Sequence, residues 1–139
     1  MGRILAIDYG LKRVGLAHTD DCQMIATPLA TISTSVIFQY LIDYFEKEDV
    51  ESIVIGDPKT LDDKPTVITN KIKVFNKKLS QIFQKPIYLV DERFTSKIAL
   101  KAIVSMGVKK KKRRNKSLVD KISATLILQS YLNRKKRDQ

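Results

Sequence analysis

Residues 4–7 (ILAI) form an unbroken apolar run that stops at Asp8-Tyr9-Gly10. Successive strand side chains point to opposite faces, so such a run predicts a strand covered on both sides, with an acid at its end. A strand buried on both faces needs helices or a second sheet around it, and the rest of the chain supplies helices. Residues 14–19 and 24–32 read as two more strands, joined by turns at residues 10–13 and at Asp20-Asp21. Over residues 34–48, Ile37, Tyr40, Leu41, Tyr44 and Phe45 recur at helical spacing, with Ser33 or Thr34 as the expected cap.

Residues 52–55 (SIVI) predict a fourth strand ending at Gly56-Asp57-Pro58. Residues 67–83 predict an amphipathic helix through Val67, Ile68, Ile72, Phe75, Leu79, Ile82 and Phe83. Residues 87–90 form a fifth strand ending at Asp91-Glu92-Arg93, and Thr95 or Ser96 caps a helix running to about Met106. The last helix is expected over residues 117–133, with Leu118, Ile122, Leu126, Gln129 and Leu132 near one face. This order predicts an α/β fold in which the opening meander pairs antiparallel and the later strands pair parallel. With 139 residues, 43% hydrophobic and 29% charged, and neither a repeat nor a linker, one domain over residues 1–139 is expected.

Ligands of such sheets sit beyond the carboxyl ends of strands, and three of the five strand ends carry acids: Asp8, Asp57 and the pair Asp91 and Glu92. Because adjacent strand residues face opposite ways, only one of Asp91 and Glu92 faces Asp8, and Glu92 is favoured. Asp120 has an ordinary reading as the acid of a capping box, Ser117-Leu118-Val119-Asp120. It also sits in the first turn of an otherwise apolar helix, directly after a basic loop. The single cysteine (Cys22) and single histidine (His18) cannot build a zinc site, so any metal is held by oxygen. His18 reads as structural, Ser117 and Ser123 lack a partner histidine, and no phosphate-binding glycine motif occurs.

Net charge is +11, and residues 109–116 (KKKKRRNK) and 134–137 (RKKR) hold seven and four basic residues, together the whole excess. Lys109, Lys110, Lys111, Lys112, Arg113, Arg114 and Lys116 create a focused positive potential suited to a phosphate backbone. Carboxylates and a polycation together point to oxygen-ligated Mg²⁺ or Mn²⁺ and a phosphodiester substrate. No apolar run approaches the ~20 residues of a membrane helix, and the start lacks the regions of a signal peptide. A cytoplasmic protein without a membrane partner is expected.

Four segments, AIDYGLKRVGLA (6–17), VIGDP (54–58), VDERFTS (90–96) and SLVDKISATLILQSYL (117–132), together resemble the YqgF family. These are Holliday-junction-resolvase-like proteins regarded as candidate nucleases for the 5′ end of pre-16S rRNA. The resemblance implies an RNase H-like fold, a five-stranded mixed sheet flanked by helices. It implies a metal-dependent phosphodiesterase site with catalytic Asp8, Glu92 and Asp120, and metal ligands Asp8, Asp91, Glu92 and Asp120. The basic loop, Lys12, Arg13 and Arg93 would bind RNA. Branched DNA is the alternative substrate, and a nucleic-acid-binding factor without catalysis is the alternative class. Ribosome-assembly partners and a monomer or weak homodimer complete the expectation. The family's G-L-P and N-M-D-G-like stretches are replaced here by Gly56-Asp57-Pro58-Lys59-Thr60-Leu61-Asp62-Asp63, which implies a changed loop beside the site.

Overall fold

A computed structural model describes residues 2–57, 67–91 and 116–137. Five strands form one mixed sheet in the order β3-β2-β1-β4-β5: β1 (Arg3–Tyr9), β2 (Arg13–Thr19), β3 (Ala26–Ser33), β4 (Val50–Asp57) and β5 (Ile87–Asp91). The meander pairs antiparallel, while β1, β4 and β5 run parallel. The apolar run 4–7 therefore lies in the central strand, as expected of a strand covered on both sides. Parallel direction brings the carboxyl ends of β1, β4 and β5 to one edge of the sheet.

The alternation of β1 divides the core in two. Leu5 and Ile7 pack with Leu16, Ile53 and Ile55 against α1 (Ile37–Lys47) and α2 (Val67–Phe83). Ile4 and Ala6 pack with Ala17, Val54 and Val90 against α3 (Lys116–Arg137), which touches all five strands. In α1 the spacing of Ile37, Leu41 and Tyr44 puts all three in the core, and in α2 Ile72, Phe75 and Leu79 do the same. Val67 and Ile82, expected on the apolar face of α2, are exposed.

Several local expectations fail for identifiable reasons. The third strand starts at Ala26 because the Asp20 carboxylate accepts the backbone N–H groups of Met24 and Ile25 at 2.8 and 2.9 Å. Those two donors are taken by an Asx-type turn that also places Gln23 at φ 58°. Neither Ser33 nor Thr34 caps α1: residues 34–36 form a 3-10 turn, and the Thr34 hydroxyl donates to the Gly10 carbonyl at 2.8 Å. The buried face of α3 is Ser123, Ala124, Ile127, Leu128 and Leu132, rotated from the expected stripe, with Gln129 exposed. The sheet beneath it is lined by the small residues Ala6, Gly15 and Ala17, so small helix residues set the contact. The helix expected after residue 95 lies outside the described residues.

Candidate active site

The described part of the site is organised around Gly15. In the antiparallel ladder of β1 and β2, Asp8 is the cross-strand partner of Gly15. Directly opposed residues share a face, and β1 alternation puts Asp8 with Ile4 and Ala6, on the α3 side. Above Gly15 lies the α3 backbone at Asp120, one turn in from the helix start at Lys116, not in the first turn where it was expected. A Cβ built on Gly15 would meet the Asp120 carbonyl oxygen at 2.2 Å and the Asp120 Cβ at 3.1 Å. Glycine is required there because the helix backbone occupies the space of a side chain. Cross-strand Cβ positions lie about 5 Å apart, so the Cβ atoms of Asp8 and Asp120 stand within about 9 Å of each other. Two acids separated by more than a hundred residues of chain thus share one face at one edge.

Asp120 is not used as a cap. Helix α3 begins at Lys116, before Ser117, and the Asp120 Oδ2 accepts a hydrogen bond from Arg13 Nε at 2.8 Å. The pair is part-buried, with side chains 39% and 24% exposed for Arg13 and Asp120. The turn that carries Arg13 is pinned on its other side. Thr34 donates its N–H to the Lys12 carbonyl at 3.0 Å and its hydroxyl to Gly10, while Lys12 itself is exposed. Arg13, expected to bind RNA, is therefore engaged with a site carboxylate.

Asp91 ends β5 on the face of Ile87 and Leu89, in register with Asp57 of β4. Alternation assigns that pair to the α1/α2 side, opposite the side of Asp8, whereas Val90 shares the Asp8 side. Glu92 follows Asp91 in the chain; Glu92, Arg93 and residues 109–114 lie outside the described residues. Among the described residues no group of three His, Cys, Asp or Glu side chains converges to hold a metal ion. Asp8 and Asp120, with oxygen donors only, match the chemistry of a hard divalent cation. Sequence reading missed Gly15 and the Arg13 to Asp120 pair; the glycine inside a strand (VGLA) was the available signal.

His18 lies on the other face, where its Nδ1 sits 2.8 Å from the Tyr44 hydroxyl. Burial, then the nearby Arg3, hold the imidazole below its ordinary range, and burial pushes the Tyr44 phenol up. A histidine ring held against a buried tyrosine hydroxyl on the side away from Asp8 is a structural contact. Cys22 is exposed. Among the described residues no helix is long and apolar enough to cross a membrane.

The chain matches the family described as "RuvX: Holliday junction resolvase" over residues 2–134. It is 50% identical over 133 residues to a Christiangramia forsetii protein named "Putative pre-16S rRNA nuclease", covering 95% of this chain and 98% of that one. A Flavobacterium psychrophilum protein of the same name is 51% identical over 136 residues, covering 97% and 99%. Among solved structures, T. thermophilus RuvC in complex with a Holliday junction substrate superposes with a TM-score of 0.58 at 15% identity, covering 97% of this chain and 96% of that one. That likeness shows the RNase H-like fold. The family match and the half-identical, full-length relatives place the chain in the RuvX (YqgF) family of Holliday-junction-resolvase-like proteins.

Proposed function

We propose that this protein is a divalent-metal-dependent endonuclease that hydrolyses phosphodiester bonds in the 5′-end processing of pre-16S rRNA in the cytoplasm. The observation that carries the reading is the juxtaposition of Asp8 and Asp120 across Gly15 at the carboxyl edge of the sheet. The names borne by the half-identical relatives support the substrate.

Asp8, Asp120 and Glu92 would hold Mg²⁺ or Mn²⁺, while Asp91, next to Glu92 in the chain, lies on the opposite face of the sheet from Asp8 and so does not join them. Such an ion activates water and stabilises the leaving oxygen of a phosphodiester. The chain's own part is to hold the carboxylates fixed, Asp8 by a central strand and Asp120 by a helix pressed onto Gly15. Arg13 and the exposed Lys12 stand at the same edge, where a phosphate backbone would lie. Lys109, Lys110, Lys111, Lys112, Arg113, Arg114 and Lys116 immediately precede or open the helix that carries Asp120, and with Arg93 they supply the cations for RNA.

The deciding experiment is cleavage of a labelled pre-16S rRNA 5′ fragment and of a four-way DNA junction, with Mg²⁺, Mn²⁺ or EDTA, by the parent and by Asp8→Asn. Metal-dependent cutting of the RNA, lost in Asp8→Asn while RNA binding persists, is the expected result. Equal cutting by both proteins would move the chemistry away from Asp8. The family description favours a second reading, resolution of branched DNA, which uses the same acids. Two symmetric cuts then require a dimer, so a strictly monomeric protein would count against it. Tight, salt-sensitive binding without cutting of either substrate would instead assign a role in ribosome assembly.

A further inference from the structure

At the end of α3 away from Asp120, two tyrosines meet on the surface. Tyr88 belongs to β5, an edge strand, and is 45% exposed. Its ring stacks on Tyr131 of α3 with centroids 5.6 Å apart and planes inclined by 21°. Among the described residues the other stacked ring pair, Phe45 with Phe83, is part-buried on both sides, whereas here Tyr131 packs against the core and Tyr88 presents aromatic surface to solvent. Burial, then Tyr88 and Glu51, push the Tyr131 phenol up and keep it uncharged.

Cations stand beside the pair. Arg134 and Lys135 follow Tyr131 by three and four residues and so neighbour it on the helix surface. Arg134 is exposed, and Lys135 is steadied by its ammonium donating to Gln23 Oε1 at 2.9 Å. The nearby acid Glu51 is itself bound by the Gln23 amide. A flat aromatic surface next to fixed positive charge suits one ligand chemistry, an unpaired base carried on a phosphate backbone. A duplex offers its bases edge-on in the grooves and has no exposed ring face to stack.

We propose that Tyr88 and Tyr131, with Arg134 and Lys135, form a stacking platform for an unpaired segment of the nucleic-acid substrate. This rests on the reading of the protein as one that acts on nucleic acid and adds a substrate feature to it. Eleven residues of helix separate Asp120 from Tyr131, about 17 Å, or roughly five nucleotides of stacked strand. The substrate is then a junction of structured and single-stranded nucleic acid.

The test is fluorescence anisotropy in EDTA, which separates binding from cleavage. Parent, Tyr88→Ala and Tyr88→Phe are titrated onto a labelled single strand of about 12 nucleotides and onto the same sequence as a duplex. Tyr88→Ala is expected to weaken single-strand binding about five- to hundredfold while duplex binding stays at the parental level. Tyr88→Phe, which keeps the ring, retains single-strand binding. Equal single-strand affinity in Tyr88→Ala and parent would overturn the platform, and so would an equal loss on strand and duplex. A loss confined to self-association, read by sedimentation, would assign the tyrosines to a contact between copies and also overturn it. Parental protein that binds neither nucleic acid defeats the platform and the nuclease reading together. Failure of the platform alone leaves the Asp8→Asn cleavage result standing.

Discussion

Replacing Gly15 with alanine tests the packing argument most directly, because the ordinary effect has the opposite sign. In an unencumbered strand the change stabilises a protein by about 0.5–1 kcal/mol, since alanine has less backbone freedom to lose. Here the new methyl would lie 2.2 Å from the Asp120 carbonyl oxygen and 2.6 Å from its carbonyl carbon. Comfortable contact needs about 3.5 Å, so the start of α3 must withdraw from β2 by about 1 Å. Both clashing atoms are backbone, and no rotamer change relieves them. Overpacking of this kind costs about 1–3 kcal/mol, which exceeds the alanine gain and lowers the thermal midpoint by several degrees. The same withdrawal carries Asp120 away from Asp8, and on the proposed catalytic role of Asp120 a displacement of about 1 Å costs on the order of a hundredfold in rate. Thermal unfolding and metal-dependent cleavage, measured side by side, read both effects. Gly2→Ala is the control: its Cβ would meet Asp49 and Glu51 backbone atoms at 2.9 Å, at the opposite end of β1. It should lose stability without a comparable loss of rate once folded protein is counted. A Gly15→Ala protein that melts at or above the parental midpoint and cleaves at the parental rate would refute the close approach of α3 to β2.

The Arg13 to Asp120 pair is part-exposed, so a double-mutant cycle with Arg13→Gln and Asp120→Asn, followed by urea unfolding, should give a coupling of no more than about 1 kcal/mol. His18 favours its neutral form in the fold, so its contribution is complete above pH ~6.5 and declines as pH falls below that value, where the unfolded chain takes up the proton first. Urea midpoints between pH 7.5 and 5.5 should fall for the parent and fall less for His18→Gln. Leu128, fully buried between α3 and the sheet, should cost about 2–5 kcal/mol as alanine in the same assay. A smaller loss would mean that this face of the core is loosely packed.

What could be read from the residues was whatever depends on local pattern. The two-faced strand at residues 4–7, the α2 helix over residues 67–83 and the acids at strand ends each follow from periodicity or from a run meeting a turn. What escaped depends on partners distant in sequence. The capping box expected at Ser117 and Asp120 does not form, because the helix already starts at Lys116, and the Asp120 carboxylate is taken instead by Arg13, more than a hundred residues earlier. The Thr34 hydroxyl is likewise drawn from its expected cap to the Gly10 carbonyl. The apolar stripe chosen for the last helix weighted large side chains, whereas the sheet under α3 offers Ala6, Gly15 and Ala17, so Ser123 and Ala124 make the approach. Asp8 and Asp120 were singled out by their places at a strand end and a helix start and again by the family motifs; the register with Gly15 explains why they lie near each other.

The competition for Asp120 connects the hairpin to the chemistry. Thr34 fixes the turn at residues 10–13 from one side, and β2 holds Arg13 at its start, so the guanidinium is presented to Asp120 by two anchored elements. Two carboxylates on one face repel each other, and the guanidinium relieves that repulsion within the described part of the site. On the proposed reading, a divalent cation held by Asp8 and Asp120 would relieve the same repulsion with twice the charge. Arg13, which now holds Asp120, would then either leave that carboxylate or share it. In both cases the positive charge at this edge, beside Lys12, would rise, which is the condition a polyanionic backbone requires. A hairpin that first neutralises the acid and then faces the phosphates gives one physical reason for Lys12-Arg13 to follow Asp8 so closely in the chain.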